Sequence, residues 1–200
     1  LFSKSFLLLK LFSKSFKYMN PNNTYLKIAE ILQLDKERDV KAANVLNELI
    51  EKADLSVLSS LIKNKNVIVF GCGPSLKKDI LNIKLRKIHL RCTLIAVDGS
   101  IKALIEENII PQINVTDLDG DVKSIIEANE KGTIAVVHAH GDNIDSIKEI
   151  VPKLKKVIGT TQVKPMGKLQ NFGGFTDGDR GVFLANHFKA GLIVPVSYTH

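Results

Sequence analysis

Four clusters in this chain have residue types and spacing suited to chemistry. Asp117 and Asp119 are separated by one residue in Asp117-Leu-Asp-Gly-Asp121. At the end of a strand, alternate residues point the same way, so both carboxylates are expected to reach one site. Two hard oxygen ligands beside Gly120 suit Mg²⁺, which takes a few carboxylates together with substrate phosphates. Asp121 is left to cap a helix. His138 and His140 alternate in the same manner. Zinc would need further ligands at recognised spacing, and Cys72 and Cys92 form no C-x-x-C pair. Contact with a phosphate or a heterocycle is the expected work of the two histidines. His89, His187 and His200 have no such context and are read as structural.

The third cluster is Gly71-Cys-Gly-Pro-Ser75, between a predicted strand and a predicted helix. Glycines let backbone approach a ligand, and a helix N-terminus offers N–H groups to an anion. Gly71, Gly73, Pro74 and Ser75 are therefore candidate phosphate-binding residues, with Ser75 either capping the helix or donating to a phosphate. No Gly-Lys-Ser/Thr follows, so this is not a Walker loop. The dinucleotide fingerprint is absent too, and the turn would equally suit an S-adenosylmethionine-dependent methyltransferase. The fourth cluster, Asn171-Phe-Gly-Gly-Phe-Thr-Asp-Gly-Asp-Arg-Gly181, precedes an apolar helix expected over 182–190. Thr176, Asp177 and Asp179 sit where helix caps and metal ligands sit, and Arg180 can pair with phosphate oxygens in a fork. A plain capping loop explains one of these acids but not the whole string.

Short β-branched runs at 67–70, 93–97, 113–116, 133–137 and 156–159 suit strands buried on both faces. Helical stretches lie between them at about 75–88, 100–108, 121–131 and 142–150, and Gly191-Leu-Ile-Val194 begins another strand. The fold expected is α/β, a mainly parallel open sheet flanked by helices. A small helical N-terminal segment precedes it, over 24–33 (Ile28, Ile31, Leu32), 36–52 (Val40, Ala43, Leu46, Ile50, capped by Asp35) and a short stretch after Asp54. The first three chemical clusters then each follow a strand, as do Asp98-Gly-Ser100, Thr160-Thr-Gln162 and the acid of His140-Gly-Asp142. In open α/β sheets ligands bind beyond the carboxyl ends of the strands.

The 200 residues carry 28 Lys+Arg against 21 Asp+Glu, formally +7. Four of those lysines lie in residues 1–18, which hold no acid, and the rest of the chain balances at 24 against 21. The same segment repeats LFSKSF at 1–6 and 11–16. Its apolar run, Phe6 to Leu9, is too short to span a bilayer or serve as a signal peptide. It is read as an extension upstream of Met19, with a surface-bound amphipathic helix as the alternative. The organisation expected is extension 1–18, helical segment 19–65, catalytic α/β domain 66–193, and a tail 194–200 of the kind found at the ends of assembled fragments. Nucleic acid is not an expected partner, because 19–193 offers no basic helix or aromatic stacking platform. Neither is a membrane.

The ordered strings GCGPSL, AVDGS, TDLDGD, HAHGDN and GFTDGDRG resemble the archaeal 6-hydroxymethyl-7,8-dihydropterin diphosphokinase family, from about Met19 to Ile193. The pattern is also similar to thiamin diphosphokinase, but Thr116 stands for that family's Gly and Gly120 for its Ser. The resemblance implies a cytoplasmic enzyme that moves a diphosphoryl group from ATP to the pterin hydroxymethyl group, releasing AMP, in methanopterin or folate-type cofactor synthesis. It implies Mg²⁺ on Asp117 and Asp119, with ATP and a reduced pterin as substrates and phosphate contacts from the glycine loop and Thr160. Arg180 would stabilise the transferred group. His138 or His140 would serve as base, unless the metal acidifies the hydroxyl. The pterin edge would fall to a carboxylate among Asp98, Asp142 and Asp177, with Thr176 and Asp179 nearby. Homo-oligomerisation is left open. Two other readings remain: a nucleotide-sugar-dependent protein like the flagellin-modifying glycosyltransferases, and a non-catalytic nucleotide-binding module.

Overall fold

Strands that are apolar on both faces need cover on both sides. The computed structural model describes residues 35–198, together with Tyr25, Lys27, Ala29, Glu30, Ile31 and Gln33. The expectations for residues 1–18, Met19, Ile28, Leu32 and His200 lie outside the described residues. Six strands form one sheet: β1 Asn66–Phe70, β2 Thr93–Val97, β3 Ile113–Thr116, β4 Ile134–Ala139, β5 Val157–Thr161 and β6 Leu192–Val196. The order is β5-β4-β3-β2-β1-β6, and every pairing is parallel.

Period-two alternation feeds two cores. In β1, Ile68 and Phe70 enter one apolar cluster, Val67 and Val69 the other. The first core is closed by α1 Lys36–Leu49, α3 Leu76–Leu85, α4 Ser100–Glu106, α5 Val122–Glu130 and α6 Ile144–Ile150, through residues such as Leu46, Ile80, Leu104, Ile125 and Ile147. Crossovers of one hand that step the same way along a sheet leave their helices on one face. The chain then returns from β5 across the other face as α7 Asp177–His187. Leu184 and Ala185 of α7 share the second core with Leu58 and Ile62 of α2 Ser56–Ile62. This return places the start of α7 above the carboxyl ends of the strands.

Ala43, Leu46 and Ile50 are buried as expected, and two residues expected to face inward do not. Asp35 caps α1 as expected, accepting from Glu37 N and Arg38 N. Val40, however, is exposed, and the inward residue of the first turn is Asp39, 4% exposed. An acid fits the apolar stripe there because three donors meet its carboxylate. Ile31 is likewise exposed, while Tyr25 and Ala29, one helical turn apart, are buried. Helix α7 begins at Asp177, five residues before the expected start. Thr176 accepts from Asp179 N, and Asp179 accepts from Phe175 N at 3.0 Å. This reciprocal cap of the capping-box kind starts the helix inside the glycine-rich string. At the far edge Val196, beyond the expected boundary at 193, pairs with Phe70 and accepts from Gly71 N at 2.9 Å.

Candidate active site

The chain leaves β3 through a turn that gathers acids. Thr116 Oγ1 accepts from Leu118 N at 2.9 Å, and Asp117 Oδ1 accepts from Asp119 N at 3.2 Å. Leu118 takes φ of 72°, which buries its side chain in the first core. A left-handed leucine costs about 1–3 kcal/mol; the side chain's burial and the two turn bonds offset it. Asp117 and Asp119 thus meet through a turn, and strand alternation is not the cause. Asp98, also left-handed at φ 43° after β2, joins them. One carboxylate oxygen from each of the three lies within 4.8 Å of the others. A Cβ on Gly120 would come 2.8 Å from Asp98 Oδ1, so only glycine leaves the group this close.

Three carboxylates at this range resist joint ionisation. Proximity to Asp98, then burial, pushes Asp119 up to about 7. Asp117 differs: burial would lift it, but bonds from His140 and from Asp119 hold it below the usual range. Asp98 Oδ1 is buried without a hydrogen bond. An all-oxygen donor set with one orphaned oxygen fits a hard divalent cation. The sequence alone places Asp98 with the pterin candidates; the geometry groups it with the other two.

The two histidines, either of which could be the expected base, stand in different surroundings. His138, on β4, is 1% exposed. Its Nδ1 meets Thr160 Oγ1 at 3.1 Å, and Nε2 is buried without a hydrogen bond. Burial, then the nearby charges of Arg180 and His140, hold it neutral. Thr160 gives its hydroxyl proton to Val137 O at 3.1 Å, so its hydroxyl serves this support and not a phosphate. His140 stacks on His138 with centroids 6.3 Å apart. Its Nε2 lies 3.1 Å from Asp117 Oδ2, while Nδ1 accepts the Asp142 N–H at 3.3 Å. The bond to Asp117 raises its pKa, against burial. Neither ring offers an uncommitted, exposed nitrogen.

Asn143, the last residue of HAHGDN and given no role of its own from sequence, fixes this arrangement. Its Nδ2 donates to Asp117 O at 2.6 Å and to His138 O at 2.7 Å, and its Oδ1 accepts from His140 N at 3.1 Å. One buried amide thus ties the ends of β3 and β4 together.

The glycine-rich string resolves into cap and wall. Thr176 and Asp179 form the cap described above, and Thr176 also lines the first of the two cavities described below. Asp177 and Arg180 face inward. Burial, then the charges of Asp117 and Asp98, lift Asp177 to about 7. Arg180 is 8% exposed, and burial lowers it to about 10. Its Nη2 donates to Phe175 O at 2.6 Å and to Gln162 Oε1 at 3.1 Å, and Nη1 to Gly174 O at 3.3 Å. Gly174, at φ 90°, would place a Cβ 2.7 Å from Arg180 N. The guanidinium is therefore a fixed buried charge more than a free fork.

Two cavities of about 370 Å³ flank the acids. One is lined by Arg38, Asp117, His140, Asp142, Phe175 and Arg180 among others, the second by Gly71, Cys72, Gly73, Asp98 and Gly178. Asp177 lines both. In the glycine loop, Gly71 N donates to Val196 O and Gly73 N to Ser197 O at 2.8 Å. Ser75 makes no side-chain cap; its hydroxyl lies 3.2 Å from Ser197 Oγ. The N–H groups of both glycines are thus taken, and Pro74 has none to offer. Asp142 stands exposed at the rim, paired with Arg38 at 3.3 Å. Arg38 and Asp39 are site residues that no motif announced, whereas Gln162 and Asn143 stand in the strings that follow β5 and β4, without a role read from sequence.

An all-parallel sheet whose carboxyl edge gathers charged and imidazole groups around two cavities is that of an α/β enzyme handling a small ligand. Residues 41–194 match the family described as 6-hydroxymethylpterin diphosphokinase MptE-like, and the chain belongs to that family. It is 49% identical over 179 residues to the 6-hydroxymethyl-7,8-dihydropterin pyrophosphokinase of Methanocaldococcus jannaschii, covering 85% of this chain and 74% of that protein. The protein of the same name from Methanothermobacter thermautotrophicus is 44% identical over 171 residues, covering 85% and 73%. A solved MAf glycosyltransferase from Magnetospirillum magneticum aligns with 14% identity and a TM-score of 0.45, over 76% of this chain and 27% of that one. At that level the likeness is too loose to speak for fold or function. Among the described residues, no helix is long and apolar enough to cross a membrane.

Proposed function

We propose that this chain transfers the terminal diphosphoryl group of ATP to the hydroxymethyl oxygen of 6-hydroxymethyl-7,8-dihydropterin. The hydroxyl oxygen forms a bond to the β-phosphorus. The bond from that phosphorus to the α,β-bridging oxygen breaks, AMP leaves with the oxygen, and the hydroxyl proton passes to solvent or a neighbouring base. The observation that carries this reading is the convergence of Asp98, Asp117 and Asp119 between two cavities, in a chain of this family. Asp98, Asp117 and Asp119 would hold Mg²⁺, which when bound neutralises phosphate charge. The chain's own part is mostly positioning and fixed charge. The glycine loop and Gly178 leave room for phosphate beside Asp98. Arg180 contributes a buried positive charge toward the transferred group. Asp177, lining both cavities, faces the point where the substrates meet.

The cavity with Phe175 is assigned to the pterin, whose flat ring suits an aromatic wall. With Asp98 in the acidic group and Asp177 at the junction, Asp142 is the carboxylate left for the amino-pyrimidine edge. The test is product analysis with ATP, Mg²⁺ and the reduced pterin. AMP is expected, and ADP would refute diphosphoryl transfer. In the same assay Asp142→Asn is expected to raise KM for the pterin and not for ATP; the opposite result would exchange the two cavities.

A pH effect follows from the raised acids. Asp119 and Asp177 contribute stability that is complete below their ordinary 3.8 and is lost as pH rises through about 7. The metal-free protein is therefore expected to melt at lower temperature at about pH 8 than at about pH 5, with Mg²⁺ raising Tm more at the higher pH. Equal or absent Mg²⁺ shifts at both would count against the metal assignment.

A further inference from the structure

Asp39 lies just before the span matched to the family, yet it is the buried acid of the pterin cavity wall. Tyr25 OH donates to its Oδ2 at 2.6 Å, Gln162 Nε2 to the same oxygen at 2.8 Å, and Gly141 N to Oδ1 at 2.7 Å. Among the described residues no lysine or arginine forms an ion pair with it. The cation it serves stands one residue further on, because Gln162 Oε1 accepts from Arg180 Nη2 at 3.1 Å. A carboxamide has one donor end and one acceptor end. A carboxylate only accepts, so Asp39 takes the NH₂ end of Gln162 and leaves the oxygen for Arg180. The direction of the whole relay is set at Asp39. The same carboxylate holds Gly141, the residue between His140 and Asp142.

We propose that Asp39 is a positioning residue for diphosphoryl transfer: through the Gln162 amide it fixes the Arg180 guanidinium, and through Gly141 it fixes the loop carrying His140 and Asp142. This rests on the reading of the cleft given above. The step it supports has Arg180 facing the transferred group from a buried, aligned position. Nothing in the relay changes protonation during turnover. Helix α1 is thereby part of the site, and not only cover for the sheet.

The test uses the full chain and three variants. Asp39→Asn keeps the shape but sets a donor against Gln162 Nε2. If Gln162 turns over to meet it, its NH₂ faces Arg180. A fall in kcat of about 10–100-fold is expected, the range for residues that orient a first contact shell, with both KM values little changed. Gln162→Met removes the relay while leaving Asp39 with Tyr25 and Gly141, and is expected to lower kcat similarly. Asp39→Asn with Gln162→Glu restores the donor–acceptor match along the relay, since the amide introduced at position 39 can donate to the carboxylate introduced at position 162, which can still accept from Arg180, with Tyr25 now accepting from that amide where it donated before. Most of the lost kcat is expected to return. The ¹⁵N signals of the Arg180 side chain in the ligand-free protein should shift in both single variants and move back in the double variant. Wild-type kcat in a folded single variant, or a folded double variant no better than Asp39→Asn, would overturn the proposal. Absence of AMP release from the wild type would instead strike the functional reading, and the Arg180 signals would still decide the relay.

Discussion

Asp117→Asn is expected to stop AMP release almost completely, by about 10³-fold or more, the several kcal/mol that cation-borne charge stabilisation supplies at a phosphoryl centre. The carboxylate is lost from a group of three whose oxygens lie within 4.8 Å, and His140 loses the charged acceptor that raises it. Asp119→Asn should be as damaging to turnover. The two variants separate in stability. Asp119 is crowded by Asp98 and lifted to about 7, so removing its charge relieves repulsion and should raise Tm at about pH 8. Asp117 is held down by its bonds, so its replacement should give no such gain. Either protein should fold, as circular dichroism can check, and either should lose the Mg²⁺-dependent rise in Tm. Full activity in one of them would remove that residue from the metal group.

Asn143→Leu should lower kcat by about 10–100-fold, as expected when a residue that orients contacting groups is lost. It should also cost about 3 kcal/mol of stability, taking about 1 kcal/mol for each of three buried bonds. The bonds go to Asp117 O, His138 O and His140 N. Losing them strands two buried carbonyls and frees the loop that carries His140. Asn143→Asp tests the argument further. It keeps the acceptor for His140 N but presents oxygen to both carbonyls, so it should be no better than leucine. A variant with unchanged kcat and unchanged denaturant midpoint would show that the clamp is incidental.

The strands were legible because burial on both faces leaves a plain signature. The β-branched runs at 93–97 and 113–116 are β2 and β3 to the residue, and the other expected strands differ by one or two positions. The start of α7 was hidden. Gly173-Gly-Phe-Thr-Asp-Gly-Asp reads as loop by propensity, and only the Thr176–Asp179 reciprocal bonding makes it a helix start. The acids at the strand ends were legible as a set, since parallel topology brings every strand's carboxyl end to one edge. Their roles were not. Asp98 and Asp142 look alike in sequence, yet one is drawn among carboxylates and the other stands at the rim. His138 and His140 share a spacing, and only packing makes one of them neutral and enclosed. Asp39 joins partners about 100 to 120 residues away, and no local pattern announces such a residue; Gln162 and Asn143 stand in strand-end strings, but their bonds to Arg180 and to Asp117 O, about 20 to 30 residues off, are set by packing alone.

The central claim is that two phosphorus atoms leave ATP together. ATP labelled with ³²P at the β position, incubated with Mg²⁺ and 6-hydroxymethyl-7,8-dihydropterin, tests it directly. The label is expected in the pterin product, with unlabelled AMP released in equal amount. Label retained in ADP, with a pterin monophosphate formed instead, would contradict it.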